Sequence, residues 1–260
     1  MKILHSLIII NLFVCAAANG TGSLERAENK FLQLQSKKLC AYMNSETMFP
    51  NPEIYSLAIA AEKGNIESIE NIIKSGIKPN STGLHNCTVL FWSMKNIVGY
   101  KKLLTAGADP NFIFDDGGSV MRWAIRHKNP EFLMLALKYG GNPNLKTGHF
   151  QQTLLFEAVA PENKNKIDML ISSGADINAT DMHGTTPAMT AAGLGQYDVV
   201  LKLLIAGADY NHKNTRGKTL SDIIRKRSKT MDPKSELTTW MHKVVKWLKE
   251  KGVAVDIQAP

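Results

Sequence analysis

Cysteine is scarce in this 260-residue chain, present only as Cys15, Cys40 and Cys87. The seven histidines are scattered, so no four-ligand zinc set forms at a recognised spacing, and neither a metal nor a cofactor is expected. A phosphate-cradling glycine loop is also missing, because Gly193-Leu194-Gly195 falls in a turn between two helical segments. His149, His183 and His212 recur along the chain without a serine or cysteine nucleophile and an orienting acid beside them. The chain therefore reads as a non-enzyme. Beyond the first 20 residues no apolar run is long enough to cross a bilayer. With 44% hydrophobic and 21% charged residues, the composition calls for neither disorder nor a coiled coil.

What the chain does have is a period. "GADYN" at Gly207 to Asn211 has relatives at Gly174, Gly140, Gly107 and Gly76, each followed four residues later by Asn178, Asn144, Asn111 or Asn80. Successive glycines lie 33, 34, 33 and 31 residues apart. A period in this range signals a stack of supersecondary units, none able to bury its apolar face alone. Ahead of the glycines stand Leu203-Leu204, Leu170-Ile171, Leu103-Leu104 and Ile72-Ile73, pairs that suit the inner stripe of a short helix. Each glycine is expected past the helix end in the left-handed conformation, where another L-residue costs roughly 1–2 kcal/mol. The Asp or Asn that mostly follows two residues later, and the Asn at four, should bond local backbone and favour a turn. About nine residues further on, Ser119, Thr153, Thr186 and Thr219 open the next helix. Small residues at Ala60-Ala61, Ala124, Ala158 and Ala191-Ala192 then let paired helices approach closely.

The unit "DMHGTTPAMTAAGLGQYDVVLKLLIAGADYN", from Asp181 to Asn211, resembles the ankyrin repeat. The resemblance runs from about Tyr55 to Ile224, with five units and a sixth that begins "RGKTLSDII" and then departs. Only Thr186-Pro187 keeps the family's Thr-Pro, and its usual histidine is replaced by Phe91, Arg122, Phe156 and Met189. The resemblance implies an all-α solenoid of about five to six repeats with helical caps, spanning residues 55–230. It also implies protein recognition by hairpin tips and first helices. Carried over unit by unit, the partner-binding positions are Phe112, Phe114, Asp115, Asp116, Arg126, His127 and Tyr139 in the third unit. His149, Phe150 and Gln152 follow in the fourth, Met182, His183 and Leu194 in the fifth, and Arg216 in the last. Trp92 and Trp123 fall where the family has a core leucine and are expected to pack.

"MKILHSLIIINLFVCAAANG" has a positive start at Lys2, an apolar run from Ile3 to Val14 and three alanines ending at Ala18. That is the pattern of a secretory signal over residues 1–18. Leu12-Phe13-Val14-Cys15 also resembles a lipobox, although Val14 is larger than that motif prefers, so a soluble product and one lipidated at Cys15 both stay open. The expected home is the periplasm. Cys40 and Cys87 would then be an even pair in an oxidising compartment, either bonded or two buried thiols. Residues 19–54 are expected to cap the first repeat through a helix between Leu24 and Met48.

At the other end, residues 231–260 form a capping helix and tail. Asp232-Pro233 is the expected start of the helix, and Leu237, Trp240, Met241, Val244, Val245 and Leu248 trace one face of it as far as Gly252. Between residues 213 and 251 there are twelve Lys or Arg against four Asp or Glu, an excess equal to the net +8 of the whole chain. Such an end either docks on an acidic partner or phospholipid headgroups, or is a solvated face; export disfavours nucleic acid.

Export, a recognition domain and no catalytic equipment together resemble the small exported ankyrin proteins that neutralise type VI secretion effectors, lipases and phospholipases among them. That resemblance implies a lipase or phospholipase toxin as partner. Two other readings remain: a periplasmic ankyrin protein supporting peroxide defence through a catalase-like partner, and a secreted virulence factor that binds host proteins.

Overall fold

The computed structural model describes residues 44–257. The expected signal segment of residues 1–18, Cys15, Cys40 and most of the expected N-terminal cap lie outside the described residues. From that cap, α1 (Ser45–Met48) lays Met48 and Phe49 into the core ahead of the first unit.

Six helical pairs stack in two layers. The first-helix layer is α2 (Pro52–Lys63), α4 (Val89–Trp92), α6 (Val120–Arg126), α8 (Leu154–Ala158), α10 (Pro187–Leu194) and α12 (Leu220–Ser228). Behind it stand α3 (Ile66–Lys74), α5 (Ile97–Thr105), α7 (Glu131–Lys138), α9 (Ile167–Ser172), α11 (Tyr197–Ile205) and α13 (Glu236–Glu250). Since α13 packs against α11, the cap helix occupies the second-helix place of the sixth unit, whose sequence departs from the repeat pattern after Ile224. Among the described residues there are no strands, only isolated antiparallel bridges such as Ile113 with Ser119 and Thr147 with Gln152 at the hairpins.

The expected helix openings recur. Ser119, Thr186 and Thr219 accept the backbone N–H three residues on through their hydroxyls, each satisfying a donor that the helix start leaves orphaned. Thr219 completes a capping box with Asp222, whose carboxylate accepts the Thr219 N–H at 3.0 Å. That backbone bond, then the Thr219 hydroxyl, hold the Asp222 carboxyl below its usual range. Thr153 caps α8 without such a bond, and its hydroxyl is buried with no partner.

Each periodic glycine is left-handed, with φ between 85° and 112° from Gly76 to Gly207. The residues after it do more than shape a local turn. Asp109, Asn142, Asp176 and Asp209 do accept the N–H two residues on, at 2.8–2.9 Å. The asparagines that follow reach across to the next unit. Asn111 accepts the Asn142 N–H at 2.6 Å and donates to the Gly140 carbonyl at 2.9 Å. Asn144 does the same with Asp176 at 2.7 Å and Gly174 at 2.9 Å. Asn80 and Asn178 accept the Asp109 and Asp209 N–H groups.

Between the layers, the alanines expected at Ala60-Ala61, Ala124, Ala158 and Ala191-Ala192 are all buried. The tightest approach is at Gly99, where a Cβ would stand 1.9 Å from the Ala61 carbonyl oxygen. Trp92 is 5% exposed and packs edge-on against Phe49, whereas Trp123 is half-buried against Phe91. Tyr100 and Tyr197 fill the second-helix layer with their hydroxyls unpartnered. Burial pushes the Tyr100 phenol far up and that of Tyr197 up to about 12.

Two expectations at the C-terminal cap need correcting. Ser235 rather than Asp232-Pro233 caps α13, accepting the Thr238 N–H at 3.2 Å, while Asp232 shapes the preceding turn through the Lys234 N–H. Leu237 is 44% exposed although it lies on the same side of α13 as Met241, Val244 and Leu248, because it falls in the first turn, at the open end of the packed face.

Asn144→Ala is expected to cost about 1–3 kcal/mol, since it removes two hydrogen bonds to the neighbouring turn, each worth roughly 0.5–1.5 kcal/mol. Asn211→Ala, at a turn with no such bond to hold, should cost clearly less, and equal losses on thermal denaturation would refute an inter-unit role. Gly99→Ala should destabilise by about 1–3 kcal/mol or more through overpacking. Tyr100→Phe, which removes an unpaired buried hydroxyl, should leave the melting temperature unchanged or raise it.

Candidate protein-binding surface

Successive hairpin tips are laced together by backbone bonds. The Asp115 N–H donates to the His85 carbonyl at 3.4 Å, and the N–H groups of Gly148, Met182 and Thr215 donate to Gly117, Phe150 and His183, each at 3.0 Å. The result is a continuous edge from the second unit to the sixth, with side chains fixed in register.

On this edge the fourth and fifth tips bring four expected residues together. His149 meets Phe150 edge-on at 5.4 Å between ring centroids, and Phe150 lies 5.9 Å from His183. Phe150 and Met182 are each half-exposed, and both histidines are open to solvent. Gln151, beside Phe150, has φ 53°, at the place where the third, fifth and sixth tips have Gly117, Gly184 and Gly217. A non-glycine residue held there stores roughly 1–2 kcal/mol of strain at the centre of the row. Gln152 contributes through its backbone, exchanging hydrogen bonds with Thr147 to close the hairpin.

The flanking tips are charged. Asp115 and Asp116 are exposed on the third, with Asp115 accepting from Asn86 at 2.6 Å and Asp116 from the Gly118 N–H at 2.8 Å. Arg216 is exposed on the last tip, next to Thr215. Leu194, half-exposed, ends α10 just before Gly195.

Four expected positions are otherwise engaged. Phe114 is 3% exposed and packs against Phe91 at 5.2 Å, while Ile113, one residue earlier in the hairpin, points out at 46%. Phe112 is half-buried against the core. Tyr139 caps the end of α7, half-buried in the second-helix layer and off the tips. His127 packs tilted against Phe132, with ring centroids 4.2 Å apart, and accepts the Asn129 N–H through Nδ1.

Arg126 is exposed but paired. Its guanidinium donates to both oxygens of Glu157, at 2.9 and 2.7 Å, and Arg122 donates to Oε1 of the same carboxylate at 2.8 Å. Glu157, 16% exposed, thus links two first helices. Beneath them Lys166, 2% exposed, donates through Nζ to the Ile125 and His127 carbonyls and to Asn163. It satisfies carbonyls that the end of α6 leaves orphaned. Burial lowers its pKa. Sequence reading missed Glu157, Lys166 and the exposed second tip at Leu84 and His85, which aligning on Thr88 would have found. Among the described residues no group of histidine, cysteine or acid side chains could hold a metal ion. Cys87 is fully buried, and its suggested partner Cys40 lies outside the described residues.

The model of the family described as ankyrin repeats (3 copies) matches residues 121–214. A putative ankyrin repeat protein of fowlpox virus is 32% identical over 144 residues, 53% of this chain and 18% of that protein. The chain spans only 12–21% of the length of the first curated relatives it matches. Among solved structures, the ankyrin repeat domain of Bcl-3 superimposes with a TM-score of 0.65 at 22% identity, covering 78% of this chain and 88% of that one. A chain from the complex of the Bd0816 predatory endopeptidase of Bdellovibrio bacteriovorus with immunity protein Bd3460 gives 0.58 at 22% identity, covering 72% and 97%. The chain carries ankyrin repeats over residues 121–214, and its described fold is an ankyrin-repeat solenoid.

Proposed function

We propose that this is a protein-binding module of a bacterial cell envelope that acts as an immunity protein, seating a type VI lipase or phospholipase effector on its tips and occluding the active site. The observation that carries the binding reading is the row of His149, Phe150, Met182 and His183, exposed yet fixed by backbone bonds. A row held in place loses little freedom on association, so more of its contact energy appears as affinity. Aromatic side chains in such a row are the kind that anchor interfaces. Asp115 and Asp116 on one side and Arg216 on the other add charges of opposite sign that would orient a partner.

Occlusion needs no chemistry from this chain. Export is supported by the signal pattern of residues 1–18, which gives a periplasmic protein, either soluble or anchored at Cys15. The fold is also that of a chain found in an endopeptidase–immunity complex, which supports toxin neutralisation and makes a peptidase the second candidate partner.

Affinity capture by the mature protein in its native cells, followed by lipase and peptidase assays on the bound fraction, tests this reading. A stoichiometric hydrolase silenced on binding is the expected result, and a catalase in its place would move the protein to peroxide defence. Replacing Phe150, Met182 and His183 together with Ala should weaken capture at least about thirtyfold, the equivalent of losing one interface anchor, with the melting temperature nearly unchanged. Full binding by that variant would mean the partner sits elsewhere.

A further inference from the structure

The chain uses its cations in two ways. Through the stack they pair with acids of a neighbouring unit: Lys95 with Glu62 at 3.0 Å, Lys102 with Glu70, Lys164 with Asp198 and Lys202 with Asp168 at 2.7 Å, and the two arginines with Glu157. From residue 213 onward this stops. Among the described residues there, only Arg225 makes an ion pair, to Asp222 within its own helix at 3.1 Å. Lys226, Arg227 and Lys229 at the end of α12, and Lys243, Lys246, Lys249 and Lys251 along α13, are all exposed. The stack therefore does not use the charge excess of this end.

The outer face of α13 also carries aromatic side chains. Trp240, Lys243, Trp247 and Lys251 follow one another at intervals of three or four residues and so share one side of the helix. Lys243 Nζ lies 3.8 Å from the centroid of the Trp240 ring, and Lys251 Nζ lies 5.5 Å from that of Trp247. Both indoles are half-buried, packed against the core and partly open to solvent. Tyr210 holds Trp247 edge-on at 5.6 Å.

The kind of charge separates the possible ligands. All the cations on α13 other than His242 are lysines, which are flexible point charges, and none is an arginine whose planar fork would read a carboxylate or phosphate in a fixed place. They are spread over a convex helix face, which suits a diffuse anionic surface better than one bound acidic peptide. Indoles at the rim suit the headgroup layer of a bilayer, where an apolar ring with a polar edge is at home. Lysine stems can lie along those rings while the ammonium groups stay among phosphates.

We propose that the outer face of α13 docks on the surface of an anionic phospholipid bilayer. The lysines rest on lipid phosphates and the exposed edges of Trp240 and Trp247 enter the headgroup layer. This does not depend on the identity of the partner at the hairpin tips.

Vesicle flotation of the full chain tests it, comparing phosphatidylcholine vesicles with vesicles that also contain phosphatidylglycerol. The apolar run from Ile3 to Val14 would bind either composition, so the quantity read is the ratio between the two. The ratio should strongly favour the anionic vesicles and collapse in high salt. A Lys243→Gln/Lys246→Gln variant, altered only at exposed positions, should fold normally and lose roughly twenty-fivefold in anionic binding, about fivefold for each lysine. Tryptophan emission should shift to the blue on the anionic vesicles, and less so in Trp240→Phe. Three results would overturn the proposal: a ratio near one, a ratio that the double variant leaves unchanged, or tighter capture on immobilised polyglutamate than on anionic vesicles. The last would reassign the face to an acidic protein.

Discussion

One side-chain amide sets the geometry of this molecule. At each junction an asparagine four residues past a left-handed glycine bonds backbone of the following turn, as Asn144 does with Asp176 and Gly174. A packed apolar layer alone would let neighbouring units slide, since burial has no direction. The amide bonds have direction and fix the register. The tip-to-tip backbone bonds carry the same register out to the hairpin edge.

The candidate binding row depends on this order. Phe150 and His183 belong to different units, yet their rings stand 5.9 Å apart because the hairpins that carry them are laced at Phe150 and Met182. Beneath, Glu157 and Lys166 tie the third and fourth units through buried or half-buried polar contacts. Their groups are satisfied, which makes them connectors rather than liabilities. The sixth unit is built differently, with a longer second helix and cations that pair with no neighbouring unit.

Much of this was legible in the sequence, for physical reasons that differ by element. The glycines and helix-opening Ser and Thr could be read because a backbone conformation or an orphan donor demands particular residue types, as at Gly107 and Ser119. The tip row was legible once units were aligned. Phe114 was misplaced because neighbouring residues of an extended segment face opposite ways, so an error of one position exchanges Ile113 for Phe114. Arg126 looked like a free interface residue because its partner, Glu157, lies 31 residues away, and no local pattern announces it. Lys166 was overlooked for a related reason: a buried lysine is recognisable only when the carbonyls it serves are seen. The asparagines were expected to act locally, and their longer reach appears only when two turns are seen side by side.

The asparagine lock also has an evolutionary side. It recognises only main-chain atoms, an N–H and a carbonyl that every unit offers whatever its side chains. For this lock, unlike the ion pairs between units, any unit can follow any other without a matched pair of mutations. A gene coding for such a chain can duplicate, delete or exchange whole units and still yield turns that join, while the tips are free to change with the surface they meet.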